Sequence, residues 1–200
     1  MEVLLDTDTS QLILYRDFVQ STGDFNMERL RVDVANLPLI EKPEIKIYGK
    51  VCHQRRDVGF FSHPGVSGYR YSGQQTSVID ITDYPYLVDI MDKVNTTLNS
   101  NFNGILVNRY NDGNEYISAH SDSETGIDPV GVASISFGAA RTFRIRDKKT
   151  KKIIYDIDHE EGDLLLMAGD FQKEFTHEVP IRKRIKEART SLTFRCHKLV

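Results

Sequence analysis

The chain has 200 residues, of which 40% are hydrophobic and 28% are charged, with a formal net charge of −3 at pH 7. This predicts one globular domain, excludes a helical membrane span and gives no overall sign of nucleic-acid binding. The N-terminal segment MEVLLDTDTSQ has no basic region, so we expect no secretory signal. Cys52 and Cys196 form no disulfide framework or zinc-finger pattern, and we expect an intracellular protein, nuclear or cytoplasmic.

The first hundred residues are predicted to contain two helices, with a strand and a turn-rich segment between them. Apolar residues in the range 9–20 recur at helical spacing and predict a short amphipathic helix. The segment EIKIYGKVC alternates as a strand does, and residues 54–75 are rich in glycine and proline, which favours turns. Residues 84–99 predict the second helix, because their apolar side chains share one face and Pro85 suits a first turn.

The second half of the chain is predicted to consist of short strands. Eight β-rich segments separated by turn residues predict an antiparallel sandwich or jelly roll. In chain order they are GILVNRY, YISAH, VASISFG, RTFRIRD, KIIYDID, GDLLLMAG, EFTHEVP and RTSLTFRC. The basic segment RDKKTKK falls between two of them, and we interpret it as a solvated hairpin turn.

Two histidines and an aspartate could form a metal site. His120 and Asp122 alternate in YISAHSDSETG, and His177 follows much later in FTHEVP. If an early and a late strand lie side by side, the three side chains meet as a two-histidine, one-carboxylate set, which leaves three coordination positions open and suits non-haem Fe(II). The motif alone is weak, and exposed or capping polar residues remain an alternative at this point.

The segment RTSLTFR predicts an anion site. On a strand, side chains at every second position share a face, so Arg189, Ser191, Thr193 and Arg195 point the same way. Two arginines spaced by about 20 Å on an inward face are costly unless an acid is bound there. A dicarboxylate cosubstrate would supply that acid, because guanidinium groups match carboxylates in a bidentate fork. The alternative is a solvated face of an edge strand.

Four motifs in order resemble one family. They are NRYNDGNEYISAHSDSE, ASISFGAARTFRIR, GDLLLMAGDFQKEFTHEVP and ARTSLTFR. Residues 47–195 are thereby similar to the AlkB-type Fe(II)/2-oxoglutarate nucleic-acid dioxygenases, especially the DNA-repair dealkylase homologues. The resemblance implies a mainly β fold with flanking helices, in which a double-stranded β-helix (jelly roll) core carries an N-terminal nucleotide-recognition lid. Within a single domain we expect a helical extension over about 1–44, the lid over 45–76, a supporting helix over 84–99 and the core over 103–197.

The resemblance also implies roles for residues of the core. His120, Asp122 and His177 match the Fe(II) ligands. The 2-oxoglutarate contacts are expected at Asn108, Tyr110, Arg189, Ser191, Thr193 and Arg195. Glu124 matches an acid near the flipped base.

The lid is a looser match. In GYRYSG, residues Tyr69, Tyr71 and Ser72 are expected to face the target base, with Tyr71 opposite His120 in a stacking sandwich. In IYGK, Tyr48 is expected to act as the finger that enters the duplex gap. Arg55 and Arg56 of HQRRD are expected to contact phosphates, which adds affinity without sequence specificity. The alternative is that these tyrosines are core or turn aromatics.

The implied activity is direct-reversal repair: oxidative dealkylation of bases such as N1-methyladenine and N3-methylcytosine in DNA, with Fe(II) as cofactor and 2-oxoglutarate and O2 as cosubstrates. We expect a monomer whose partner is alkylated DNA, or RNA, without a membrane partner. Two alternatives stay open. One is the same chemistry on RNA or on a substrate other than nucleic acid, and the other is a catalytically silent jelly roll that only binds nucleic acid.

Overall fold

The computed structural model describes residues 1–47, 49–66, 68, 70–71, 74–122 and 130–197. The helices are α1 (Phe18–Ser21), α2 (Met27–Ala35), α3 (Pro85–Leu98) and α4 (Phe171–Glu174), with a 3-10 turn at Ile81–Asp83. The first strands are β1 (Glu2–Asp6), β2 (Ser10–Tyr15), β3 (Glu44–Ile47), β4 (Lys50–His53), β5 (Asp57–Ser62), β6 (Arg70–Tyr71), β7 (Gln74–Gln75) and β8 (Val78–Asp80). They are followed by β9 (Gly104–Tyr110), β10 (Ile117–His120), β11 (Val132–Gly138), β12 (Arg141–Asp147), β13 (Ile153–His159), β14 (Leu164–Gly169), β15 (Phe175–Val179) and β16 (Arg189–Arg195). None of the helices in these ranges is long and apolar enough to cross a membrane.

The strands form a large and a small sheet that pack face to face. The large sheet has the order β1-β2-β14-β11-β16-β9-β5-β8, and the small sheet has the order β10-β15-β12-β13. Apolar residues of both sheets meet in one core cluster, where Tyr110 and Leu165 of the large sheet join Phe143 and Ile145 of the small sheet. The predicted jelly roll is therefore confirmed, and the eight β-rich segments of the sequence form strands β9 to β16.

Strand β16 lies inside the large sheet and is buried on both faces. Leu192 and Phe194 face a second core cluster, which contains the buried side of α3. Side chains at successive positions of a strand point to opposite faces, so the other face of β16 points toward the small sheet. That face carries Arg189, Ser191, Thr193 and Arg195. Because β16 pairs with β11 on one side and β9 on the other, the alternative of a solvated edge strand is wrong.

The N-terminal segment differs from its prediction. Residues 10–15 form a strand, and only Phe18–Ser21 is helical. Leu12 and Leu14 are buried between the sheets, while Ser10–Tyr15 pairs with all six residues of β14. The apolar pattern of this segment fits both the helical and the strand period. The strand forms because the backbone N–H and C=O groups at the edge of β14 need hydrogen-bond partners. Residues 1–44 are thus partly an extension of the large sheet and not a purely helical addition.

The expected lid region is also divided. Strand β5 lies in the large sheet between β9 and β8, so residues 57–62 belong to the core. The other described strands of the range 45–76 lie outside the large and the small sheet and form two hairpins, β3–β4 and β6–β7. Tyr48 lies at the β3–β4 turn position in the sequence, outside the described residues.

A pair of glycine substitutions should separate backbone strain from collision. Gly169 and Gly23 have nearly the same left-handed φ, +65° and +69°, but a Cβ on Gly169 would lie 2.3 Å from the carbonyl oxygen of Thr9, whereas Gly23 faces open space. We expect Gly23→Ala to cost about 1 kcal/mol of the free energy of unfolding. Gly169→Ala should cost roughly 1–3 kcal/mol more, because β2 must move away from β14. Urea unfolding of both variants measures the difference, and equal losses would contradict the close approach.

Candidate metal centre and cosubstrate cavity

Strands β10 and β15 bring the two candidate histidines together. His120 stands opposite His177 in the strand register, and their ring centroids are 4.3 Å apart. Asp122 follows the end of β10 after one residue, and its carboxylate oxygens lie 3.9 Å from the Nε2 atoms of both histidines. One potential ligand atom from each residue lies within 4.8 Å of the others. The structure thus gathers the trio that the sequence predicts.

Each histidine is held with Nε2 toward the aspartate. His120 Nδ1 lies 2.9 Å from the carbonyl oxygen of Ser118, which can only accept, so Nδ1 carries the proton and Nε2 keeps its lone pair. His177 stacks on Phe143 at a centroid distance of 5.2 Å and an interplanar angle of 16°. An outer hydrogen bond that fixes the tautomer and an aromatic wall that fixes the ring are the usual supports of metal-binding histidines.

The neighbourhood of Asp122 keeps it ionised. Burial opposes its charge, but Arg195 and the two histidines outweigh this and hold the pKa of Asp122 below its usual range. Arg195 Nη2 donates to Oδ1 at 2.7 Å, and the backbone N–H of Asp122 donates to Gln172 Oε1 at 2.9 Å. Oδ2 is buried and has no hydrogen-bond partner in the described part of the chain. An ionised oxygen without a partner, beside two imidazoles, fits a bound cation.

The protonation states favour a metal as well. Burial, together with the neighbouring His120, lowers the pKa of His177 to about 3, and burial also lowers the pKa of His120. Both rings are therefore neutral near pH 7, which is the form that binds metals. Two imidazole nitrogens and one carboxylate oxygen with further positions open are the donor set of non-haem Fe(II) oxygenases. The residues present fit Fe(II).

A cavity between the two sheets adjoins the trio. Its empty volume is about 460 Å³, including the part open to solvent. The histidines line it from the small sheet. The large sheet contributes Asn108 and Tyr110 of β9 and the alternating row Arg189, Ser191, Thr193 and Arg195 of β16. The common face predicted for β16 is thus observed, and it points into the cavity.

Arg189 is a buried cation without an acid. Its Nε donates to Ser136 Oγ at 2.8 Å, its Nη2 lies 3.2 Å from His159 Nδ1, and its Nη1 has no hydrogen-bond partner among the residues described. Among the described residues, no carboxylate acts on the charge of Arg189. Burial lowers the pKa of Arg189 to about 10, so it is still protonated at neutral pH. A buried, charged and partly unsatisfied guanidinium fits a carboxylate ligand.

The two adjacent arginines of HQRRD have different surroundings. Arg55 is exposed, but Arg56 is buried, its Nε donates to Asn108 Oδ1 at 2.6 Å, and its side chain lines the cavity. The prediction that Arg56 contacts phosphates is therefore wrong, because strand β5 begins at the next residue and turns this side chain inward. Arg56 instead holds the amide of Asn108.

Most of the residues expected to contact the nucleic acid lie outside the part that is described. These are the finger residue Tyr48 and the base contacts Tyr69, Ser72 and Glu124, while Tyr71 belongs to β6 without a described side chain. Conversely, sequence reasoning missed Gln172, Ser136 and His159, which contact the trio or Arg189. No motif spacing indicates these residues, because each contact joins positions 30 or more residues apart.

The jelly roll and its His-Asp-His cavity define a non-haem iron oxygenase, and comparison with known families agrees. Residues 11–195 match the model of the 2OG-Fe(II) oxygenase superfamily, so the chain belongs to this superfamily. Within it the relatives are AlkB homologues. The chain is 32% identical over 178 residues to "DNA oxidative demethylase ALKBH2" of Arabidopsis thaliana, covering 77% of this chain and 57% of the relative.

A human relative covers more of both chains. "Alpha-ketoglutarate-dependent dioxygenase alkB homolog 3" is 32% identical over 205 residues, covering 96% of this chain and 68% of the relative. The chain spans less than two thirds of the length of the ALKBH2 relatives. Among solved structures, "The structure of OsALKBH1" has a TM-score of 0.55 at 18% identity and covers 92% of this chain and 97% of that chain, which supports the fold.

Proposed function

We propose that this protein is an Fe(II)- and 2-oxoglutarate-dependent dioxygenase that removes alkyl groups from N-alkylated bases in DNA. The observation that carries the proposal is a single cavity with the His120, Asp122 and His177 trio on one side and the unneutralised Arg189 on the other. The first set can hold iron and the second a carboxylate of the cosubstrate. The DNA substrate is supported by the demethylase names of the ALKBH2 relatives.

Different residues of the site would bind the metal, bind the cosubstrate and keep Asp122 ionised. His120, Asp122 and His177 would hold the iron, which when bound would supply the oxidation that converts O2, 2-oxoglutarate and the alkyl group into succinate, CO2 and formaldehyde. Arg189 would bind the distal carboxylate of 2-oxoglutarate through Nη1. Arg195 would keep Asp122 ionised by its hydrogen bond and close the same wall of the cavity. Asn108 and Tyr110 would contact the cosubstrate from β9, and Ser191 and Thr193 from β16.

We propose that the β3–β4 and β6–β7 hairpins form the lid over this cavity. Both hairpins lie outside the large and the small sheet, so they can carry residues that contact a nucleic acid without disturbing the core. In this assignment Tyr69, Tyr71, Ser72 and Glu124 contact the flipped base, and Arg55, which is exposed, contacts a phosphate. A base already weakened by N-alkylation costs less to flip out of the stack.

Two tyrosine substitutions should separate base stacking from duplex opening. Tyr71→Ala removes a stacking ring, worth roughly 1–3 kcal/mol per base, and should lower kcat/KM about 5- to 100-fold on single and double strands alike. Tyr48→Ala removes the residue that fills the gap left by the flipped base, so it should lower duplex repair and largely spare single strands. The quantity to compare is the ratio of duplex to single-strand kcat/KM. A wild-type ratio in Tyr48→Ala would make Tyr48 a packing residue.

Mass spectrometry of methylated oligonucleotides tests the function. Single- and double-stranded DNA and RNA with N1-methyladenine or N3-methylcytosine are incubated with the protein, Fe(II), O2 and 2-oxoglutarate. Loss of the methyl mass from DNA, dependent on 2-oxoglutarate and matched by succinate, is the expected result. Demethylation of RNA alone would move the substrate to RNA. Binding of the oligonucleotides without any succinate would indicate a silent binding module.

We also propose an intracellular, monomeric protein. Neither Cys52 nor Cys196 is in a disulfide, which agrees with a reducing compartment. Size-exclusion chromatography with light scattering tests the oligomeric state, for which a mass near 22.9 kDa is expected.

A further inference from the structure

His159 is a fully buried imidazole that does not belong to the metal trio. It is the last residue of β13, stands opposite Arg141 in the register of β12, and has no exposed surface. Its Nε2 lies 3.1 Å from the carbonyl oxygen of Asp163, and its Nδ1 lies 3.2 Å from Arg189 Nη2. A buried polar side chain in this position needs both contacts to balance the cost of its burial.

The two partners fix one tautomer of this ring. A backbone carbonyl can only accept a hydrogen bond, so the proton must be on Nε2. A guanidinium can only donate, so Nδ1 must offer its lone pair to Arg189. The neutral ring satisfies both demands at once, whereas a protonated ring would turn an N–H toward the N–H groups of Arg189. In agreement, burial and the charge of Arg189 lower the pKa of His159 to about 3.

The contacts of Arg189 leave one of its nitrogens for a ligand. Ser136 accepts from Nε and His159 accepts from Nη2, while Nη1 has no hydrogen-bond partner in the described ranges. A guanidinium is planar, so fixing two of its nitrogens also fixes the direction of the third. The plane lies beside the Tyr110 ring, with the guanidinium carbon 5.7 Å from the ring centroid.

A second buried guanidinium, that of Arg141, lies near Arg189 at the same tyrosine ring. Arg141 is also almost fully buried and is also 5.7 Å from the Tyr110 centroid. It donates to the carbonyl oxygens of Asp112, Glu115 and Pro180, and the charges of Asp112 and Glu115 act on it. Arg189 has no such acid among the described residues, so an anion that reaches Nη1 meets an unneutralised guanidinium.

We propose that His159 is a positioning residue that holds Arg189 Nη1 toward the cavity and thereby selects 2-oxo acids that carry a distal carboxylate. The inference rests on the proposed function and adds to it a residue that acts through Arg189 and touches no substrate. If this is so, replacing His159 should weaken binding of the distal carboxylate. Binding of the 2-oxo acid end and of the metal should stay unchanged.

Calorimetric titration of the Mn(II)-loaded protein tests this without turnover. Two ligands are compared: 2-oxoglutarate, and 2-oxobutyrate, which keeps the 2-oxo acid end but lacks the distal carboxylate. In His159→Leu the affinity for 2-oxoglutarate should fall about 10- to 100-fold, as expected when a hydrogen bond to a charged group is lost. The affinities for 2-oxobutyrate and for Mn(II) should stay at wild-type values.

His159→Gln is the matched control. Its amide oxygen can accept from Arg189 while its NH2 group donates to Asp163, so it should recover most of the affinity for 2-oxoglutarate. If the leucine variant does not fold, His159→Met gives the same comparison, because methionine adapts to irregular apolar spaces.

The other outcomes overturn the inference. Wild-type affinity for 2-oxoglutarate in the leucine or methionine variant would show that His159 does not position Arg189. An equal loss for both ligands would show a general collapse of the cavity and no positioning. Failure of the proposed function is distinguished because the wild-type protein itself would then bind neither ligand.

Discussion

A His177→Ala variant should lose stoichiometric Fe(II) binding and all measurable dealkylation. His177 supplies one of the three donor side chains of the candidate metal site, and its Nε2 faces Asp122 at 3.9 Å. Loss of an outer partner of a ligand typically costs 10- to 100-fold in metal affinity, so loss of a ligand should cost at least about 100-fold. His120→Ala should behave in the same way. Anaerobic titration with Fe(II), followed by metal analysis after gel filtration, measures the effect.

His63→Ala is the matched control for metal binding. It removes an exposed imidazole, whereas the ligands belong to the cluster at the cavity. Its metal stoichiometry should equal that of the wild-type protein. Circular dichroism should show that the fold survives in all three variants, because the core cluster that contains α3, Leu192 and Phe194 does not include the trio. Substantial activity of His177→Ala with iron supplied would contradict the assignment.

The core of the fold could be predicted from the sequence because its pattern is local. Each of the eight strands after residue 99 is a short β-rich segment that ends near turn residues, and α3 has one apolar face and a proline at its start. The trio could be predicted in the same way, since His120 and Asp122 are close in the chain and His177 lies on a recognisable strand. The arginine face of β16 follows from the period of a strand alone.

The rest depends on contacts that no local pattern contains. Residues 10–15 fit a helix and a strand equally well, and pairing with β14 decides between them. Arg55 and Arg56 are neighbours of the same type, but the register of β5 against β9 turns only Arg56 inward. His159 resembles any polar strand end until β16 places Arg189 beside its Nδ1. The partners of buried polar groups are therefore the part of a site that sequence reasoning finds last.

Removal of the Arg189 charge should produce the second large effect. Arg189→Ala is expected to raise the apparent KM for 2-oxoglutarate by roughly 10²- to 5 × 10³-fold, since loss of one partner of a buried ion pair costs about 3–5 kcal/mol. Arg189→Lys should recover only part of this, because an ammonium cannot keep the bonds to Ser136 and His159 and also present a donor to the cavity. Arg184→Ala, at an exposed position, is the control and should leave the KM unchanged.

Replacement of Arg189 should affect 2-oxoglutarate binding much more than the stability of the fold. In the protein without cosubstrate, Arg189 is a buried cation on which no carboxylate of the described residues acts, so its charge contributes no ion pair to the fold. Its replacement should therefore lower the free energy of unfolding by much less than it lowers the free energy of 2-oxoglutarate binding. Urea unfolding and calorimetric titration of the Mn(II)-loaded variant measure the two quantities. If the KM is unchanged, or if stability falls as much as binding, Arg189 is a structural residue and the distal carboxylate is bound elsewhere in the cavity.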